Sequence, residues 1–439
     1  MRRLTCMALL VLVTGCDDNP PPPPPRDAGP VADSGDTPTD AGSDAGPDFD
    51  AGPDYDGGRD AGGPPRDGGM PSCTAAPADR HLLATDVGGT DRIVGLAAGG
   101  DSFGVIWNET REGTPDLFAR RLPTSGAIGD ERRVTNQFSR ENPPSLMALG
   151  TQWLAAWVDN DMSTGFEVRT QVLMADLTPT GTVQRLTNTD ALFEDNPTLL
   201  NISSGPFILW VEDDMLASQR IARARTLDTD GSGRDGTQTA SEAAQRPGQV
   251  ALGELDSGPV AFWSEGVGID QDLLMQPLTP VGARSGAPVT VSVEANADGS
   301  VDAAVSPGTG GAVVFGVLVS GVRKEVRFRA MSADGTLLGD EVPLMTPPAT
   351  GGDASIVPFA GGYAVAYRGD LGGGAGTQIV LLLVDGLGNV LDEAPLTSAS
   401  EGGGRLTLRA TGTGQLAVTW ADDTPSGYEL NVQLIRCGG

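Results

Sequence analysis

The sequence predicts an all-β fold: a closed ring of seven four-stranded antiparallel sheets whose last sheet takes its outer strand from the amino-terminal side. Three observations predict it. An aromatic residue closing a short apolar run recurs as Trp107, Trp157, Trp210, Trp263, Phe315, Tyr367 and Trp420, at steps of 50, 53, 53, 52, 52 and 53 residues. Each unit holds four short runs of strand character separated by turn residues. The units are also out of phase with the chain ends, because the last one stops after three runs and an orphan fourth run precedes the first. A fixed period of about 40–50 residues with several strands per unit marks propeller blades, so the expected architecture is a seven-bladed β-propeller.

Residues 1–16 begin Met-Arg-Arg and continue almost wholly apolar from Leu4 to Val13. A basic start and a short apolar core form a secretory signal, too short to span a bilayer as a mature helix. The ending Val13-Thr14-Gly15-Cys16 resembles the lipobox of bacterial lipoproteins. The resemblance implies that Cys16 is lipidated and becomes the first mature residue, anchoring the chain to a bacterial membrane. Outer membrane or cell surface is the favoured location, with the inner membrane left open by Asp17.

Residues 17–72 carry the proline run Pro20 to Pro25 and then Asp-Ala-Gly-Pro variants, with 13 Asp against 3 Arg. Low hydrophobicity with net charge leaves nothing to offset ordering entropy. The expectation is a disordered tether, semi-rigid at its prolines, spanning roughly 40 Å as a coil and about 170 Å when stretched.

Residues 73–439 hold the repeats. In the second unit the strand candidates are Ser145 to Ala148, Trp153 to Trp157, Val168 to Leu173 and Val183 to Thr187. The turn before the fourth strand is Gly-rich in most units: Gly126, Gly181, Gly231, Gly335 and Gly386. Those positions suit the positive φ of tight hairpins. Fourth-strand text reads Arg133-Val134-Thr135, Arg185-Leu186-Thr187 and Pro395-Leu396-Thr397, and the same flavour appears upstream as His81-Leu82-Leu83-Ala84-Thr85. That upstream run is expected to lie against the final strand, Glu429 to Ile435, and so close the ring. Closure brings Cys73 and Cys437 to one seam, where in an oxidising envelope a disulfide would contribute on the order of 4–5 kcal/mol.

Composition narrows the function. The chain has 29 Lys+Arg against 58 Asp+Glu, a formal charge of −29, which repels nucleic acid and anionic lipid headgroups. Its one lysine is Lys324 and its one histidine His81, too few for multi-His metal sites or a His-activated nucleophile. No cofactor and no metal are expected. Asp228-Thr229-Asp230-Gly231-Ser232-Gly233 opens like a calcium loop, but its twelfth position is Thr239 where a bidentate Glu is required. It falls where sibling units carry a hairpin turn.

Trp107-Asn108-Glu109-Thr110-Arg111-Glu112-Gly113, followed by Arg120-Arg121-Leu122, Gly126 and Val134-Thr135-Asn136, is similar to a repeat common in secreted bacterial propellers and lipoproteins. Its pattern is Trp, an acid at +2, Arg at +4 and Gly at +6. The first unit matches throughout; other units keep the aromatic, the acid and the strands, and the fifth loses the acid. The resemblance implies the fold and an envelope location, and no single activity.

The candidate ligand face follows from the repeat. The +2 acids are Glu109, Asp159, Glu212, Glu265 and Asp422, with Asp370 at +3 in the sixth unit. They lie in loops that share a face with the connections between blades, which carry Arg92, Arg140, Glu141, Glu194, Arg246 and Arg405. Each acid either caps its own turn or pairs with a nearby Arg such as Arg111, or else the acids form a ring that attracts cations or basic partners. The expected function is a lipid-anchored, non-catalytic module that binds or displays protein or glycan. An assembly scaffold in the envelope and a carboxylate-dependent glycosidase or lyase are the alternatives.

Overall fold

The second run of each unit reads as unbroken apolar text because both of its faces are covered. Phe103 to Trp107 are all buried, whereas outer-strand residues such as Thr182 and Val183 are exposed. Such a gradient arises when sheets stand side by side like the staves of a ring. The structure, a computed structural model, describes residues 72–438 apart from 77–78, 88–93, 112–113, 137–143, 162–164, 190–191, 215–216, 243–246, 268–269, 293–299, 320–322, 348, 373–375, 399–404 and 425–426. All belong to the second of the two units into which the chain divides, Pro64–Gly439. Cys16 and the expected leader and tether up to residue 71 lie outside the described residues.

Seven antiparallel sheets follow one another around the ring. In the first blade, β3 (Val94–Gly99) is innermost, followed by β4 (Ser102–Arg111), β5 (Thr114–Pro123) and a two-residue β6 (Arg132–Arg133). The second blade contains β7 (Ser145–Leu149), β8 (Gln152–Asp161), β9 (Gly165–Leu173) and β10 (Pro179–Arg185), matching the four expected runs. The inner strands of the third to seventh blades are β11 (Phe193–Ile202), β15 (Val250–Leu255), β19 (Val301–Ser306), β23 (Thr350–Phe359) and β27 (Thr407–Ala410).

The core is distributed between blades. Seven apolar clusters each join two neighbouring sheets. One contains Ile106, Leu117 and Val134 of the first blade with Leu146, Trp153 and Trp157 of the second. Another crosses the closure, joining Trp107 and Val105 to Leu83, Ala417, Leu430 and Val432. The ring is a seven-bladed β-propeller.

Closure occurs where the text placed it, with one refinement. The last blade runs β27, β28 (Leu416–Thr424), β29 (Gly427–Gly438), and its outer edge is a ribbon in two pieces, β1 (Ser72–Thr74) and β2 (Arg80–Val87). In β2, His81 pairs with Val432 and Ala84 with Leu430. In β1, Cys73 pairs with Cys437, and the two form a disulfide. Cys437 thus lies within the final strand instead of just beyond it. Asp79 clamps the same edge by accepting two 2.7 Å hydrogen bonds from the Arg436 guanidinium, which holds its carboxyl below the usual carboxylate range.

Three of the expected turn glycines, Gly126, Gly231 and Gly335, have positive φ in their turns, whereas Gly181 has it within β10 and the second-blade turn, closed by the Met174 amide on the Thr178 carbonyl, places its positive φ on Leu177 (φ 66). In the sixth blade the requirement falls on Gly388 (φ 88) rather than Gly386. A Cβ on Gly388 would approach within 2.6 Å of the Phe328 ring of the preceding blade, so both conformation and packing demand glycine there.

Candidate functional site

The +2 acid follows its aromatic by two residues on a strand, so the two side chains emerge on the same face. That spacing is used structurally. Trp107 Nε1 donates to Glu109 at 3.1 Å, and Trp420 Nε1 to Asp422 at 2.8 Å. Residues directly across the sheet supply guanidinium partners. Arg169, opposite Trp157, pairs with Asp159 at 2.6 Å; Arg223, opposite Trp210, grips Glu212 at 2.7 and 3.2 Å. Asp422 also receives Asn431 and Arg80, so it fastens the closing strand as well as its indole. Arg111, the +4 residue, bonds Glu109 and Glu131 and stacks 4.0 Å over the Phe118 ring.

Two acids differ from this pattern. Asp370 accepts from the Gly372 amide at 2.8 Å and shapes its own turn. Glu265 is half-buried opposite Asp272, and burial, with Asp272 and Glu242 nearby, raises its carboxyl above the usual range. Hence Glu109, Asp159, Glu212 and Asp422 cap or pair within their own blades.

The Arg-x-Thr text of the fourth strands also acquires a cause. Thr135 Oγ1 accepts from the Leu117 amide at 2.9 Å and donates to Asp116, which Arg133 pairs. In the second blade Thr187, Val168, Glu167 and Arg185 repeat the set. Asp116 and Glu167 are fully buried, third-strand acids that sequence reasoning passed over.

Glu194 lies at the start of β11 with no exposed surface, opposite Glu212 in the sheet. It accepts a short hydrogen bond from Thr189. Burial, reinforced by the neighbouring Glu167 and Glu212 carboxylates, pushes its carboxyl up to about 7. Further along, Asn196 (φ 51) sits at a bulge in β11 and Asp353 (φ 47) at one in β23, left-handed conformations that Asn and Asp tolerate.

The inner strands surround a channel of about 570 Å³. One rung, set opposite the residue preceding each aromatic, is Gly95, Ser145, Thr198, Ala251, Asp302, Ser355 and Thr407. Two residues on, the rung is apolar or glycine in six blades and Arg409 in the seventh. Polar members stitch neighbouring blades. Ser145 Oγ accepts from the Leu199 amide at 3.0 Å, Ser355 Oγ from the Leu408 amide at 3.0 Å, and Asp302 from the Ile356 amide at 3.2 Å. Arg409 reaches Asp302 at 3.4 Å and the Leu408 carbonyl at 2.7 Å.

Arg405 enters the same channel. Burial and the nearby Arg409 draw its guanidinium below the usual range, with Asp302 and Asp353 opposing; an arginine nonetheless stays charged. Asp302 and Arg409 were not singled out by the sequence. The available signal was a charge where sibling units carry small or apolar residues.

Of the other expected connection residues, Arg92, Arg140, Glu141 and Arg246 lie outside the described residues. In the segment resembling a calcium loop, Asp230 accepts from the Ser232 amide and hydroxyl at 2.9 and 2.6 Å, and those bonds hold it below the usual range. It is a hairpin turn. Among the described residues no group of three or more His, Cys, Asp or Glu could hold a metal ion, and no helix is long and apolar enough to cross a membrane.

No protein-family model and no curated protein matches the chain. Among solved structures it is similar to a polysaccharide lyase at 11% identity and a TM-score of 0.50, over 84% of this chain and 99% of that one. It is also similar to a Mycobacterium tuberculosis puromycin-hydrolyzing peptidase at 14% identity and a TM-score of 0.50, over 81% of this chain and 55% of that one. A Dyadobacter fermentans protein of unknown function matches at 10% identity and a TM-score of 0.49, over 84% and 100%. At such identities the likeness is one of fold.

Proposed function

We propose that the chain is a lipid-anchored cell-envelope propeller that binds or displays a protein or glycan ligand without turning it over. One observation carries the reading: the face acids with partners are committed to their own blades, while the channel remains a roomy, mixed polar and apolar cavity. Among the described residues lining it, Asp302 is the one carboxylate, and it is tied to Ser355 and Arg409. Glycoside cleavage by the usual route uses two carboxylates about 5–9.5 Å apart. The Cys73–Cys437 disulfide supports an extracytoplasmic location, in keeping with Cys16 as the lipidated residue and membrane attachment through it.

The test is a glycan array probed with the full-length chain, with product release from each bound glycan followed over time. Saturable binding without release is expected; release of saccharide fragments, or an array with no binding above background and no captured envelope partner, would overturn the reading. Lipidation is checked separately, since Cys16→Ala should move the protein from the membrane to the soluble fraction. A second reading, a carboxylate-dependent glycosidase or lyase, is favoured by the raised carboxyl of Glu265 beside Asp272 and by the fold shared with a polysaccharide lyase. An envelope scaffold remains the third.

A further inference from the structure

The channel has a charge that its surroundings do not share. The chain as a whole carries −29, yet the described lining has two arginines, Arg405 and Arg409, against the single Asp302. Just behind it Asp353 pairs with Arg368 at 3.2 Å, so among the described residues three guanidiniums stand with two carboxylates, a surplus of one positive charge. Asp302 is spent on Ser355, the Ile356 amide and Arg409. No described residue offers a hydrogen bond or ion pair to Arg405. Arg405 is half-buried in the channel wall, and its five N–H donors stand in a fork that fits a carboxylate.

We propose that Arg405, supported by Arg409, makes the central channel a binding site for a small monoanionic carboxylate ligand of sugar size, an acidic monosaccharide or the acidic end of a longer glycan. The proposal rests on the binding-module reading and specifies its ligand. The surplus of one charge selects a monoanion, because a dianion would leave a net negative charge buried in the channel. The volume of about 570 Å³ lies within the range of small-molecule sites, about 300–1,000 Å³. Asn196 and Thr198, at the same end of the inner strands as Arg405, add amide and hydroxyl groups to the lining, suited to a hydroxylated ligand.

The experiment is calorimetric titration of the full-length protein with sodium glucuronate, glucose and phosphate at pH 7. Glucuronate should bind at least 10-fold more tightly than glucose, and phosphate no more tightly than glucuronate. Arg405→Gln should weaken glucuronate at least 10-fold without lowering the melting temperature of the unliganded protein, and Arg405→Lys should keep part of the affinity. Equal affinity for glucose and glucuronate, or unchanged affinity in Arg405→Gln, would overturn the proposal while leaving a neutral-glycan or protein ligand open to the array. Tighter binding of phosphate would refute the monoanion assignment. A melting temperature several degrees lower in unliganded Arg405→Gln would show that the guanidinium serves the fold. Fragment release on the array, by contrast, would remove the binding-module reading itself.

Discussion

Replacing Glu194 by Gln turns a buried carboxyl into a probe of the third blade. The folded carboxyl titrates at about 7 against an ordinary value of 4.5. Between those values the folded chain holds a proton that the unfolded chain has released, so stability falls as pH rises. The contribution is fully present below about 4.5 and lost through about 7. Two and a half pH units at about 1.4 kcal/mol each amount to about 3.5 kcal/mol. A domain of this size has an unfolding entropy near 2 cal/mol/K per residue, so the shift in melting temperature is about 4 °C. Gln cannot ionise and still accepts from Thr189. Scanning calorimetry at pH 4.5, 5.5, 6.5 and 7.5 should therefore find wild type and Glu194→Gln alike at the acid end, with the variant gaining about 4 °C by the neutral end. A difference that stays flat with pH would refute the burial argument, because the carboxyl would then be ionised like a surface one.

Loss of the disulfide through Cys73→Ser with Cys437→Ser releases a closure spanning 364 residues and should cost about 4–5 kcal/mol, read as a lower denaturant midpoint than the oxidised wild type. Asp422→Ala strands the Trp420 indole and the donors of Asn431 and Arg80; the expected loss is about 3 kcal/mol, seen as faster hydrogen exchange along β2 and β29. Thr187→Val removes the hydroxyl between the Val168 amide and Glu167 and should cost about 1–2 kcal/mol by urea titration. Glu265→Gln, at a carboxyl crowded by Asp272 and Glu242, should leave the melting temperature unchanged or raise it at pH 7.

Blade number and closure were legible because they are one-dimensional facts. The steps between Trp107 and Trp420 count the sheets, and the orphan run at His81 to Thr85 states which strand the last sheet lacks. The pairing of Asp159 with Arg169 was not legible, since a cross-strand register depends on hairpin length and the two lie ten residues apart in the text. The channel cluster was hidden for a deeper reason. Asp302, Ser355 and Arg409 come from three blades, and their meeting is a property of the ring. Gly388 taking the role expected of Gly386 is a smaller case: the turn has the same length as that of the fifth blade, with the Gly388 amide bonded to the Asp385 carbonyl as Gly335 is to Ser332, but its Asp-Gly pair falls at the first two turn positions instead of the third and fourth.

The position of the disulfide has a mechanical side. Cys73 lies in β1, ahead of β2, and is bonded to Cys437 in the strand that both pieces flank. A tensile load arriving from upstream of Cys73 is diverted through sulfur into β29, so the hydrogen bonds of β2 are never asked to resist unzipping one at a time. Reduction would reroute the same force onto that ribbon and let the ring open from its edge.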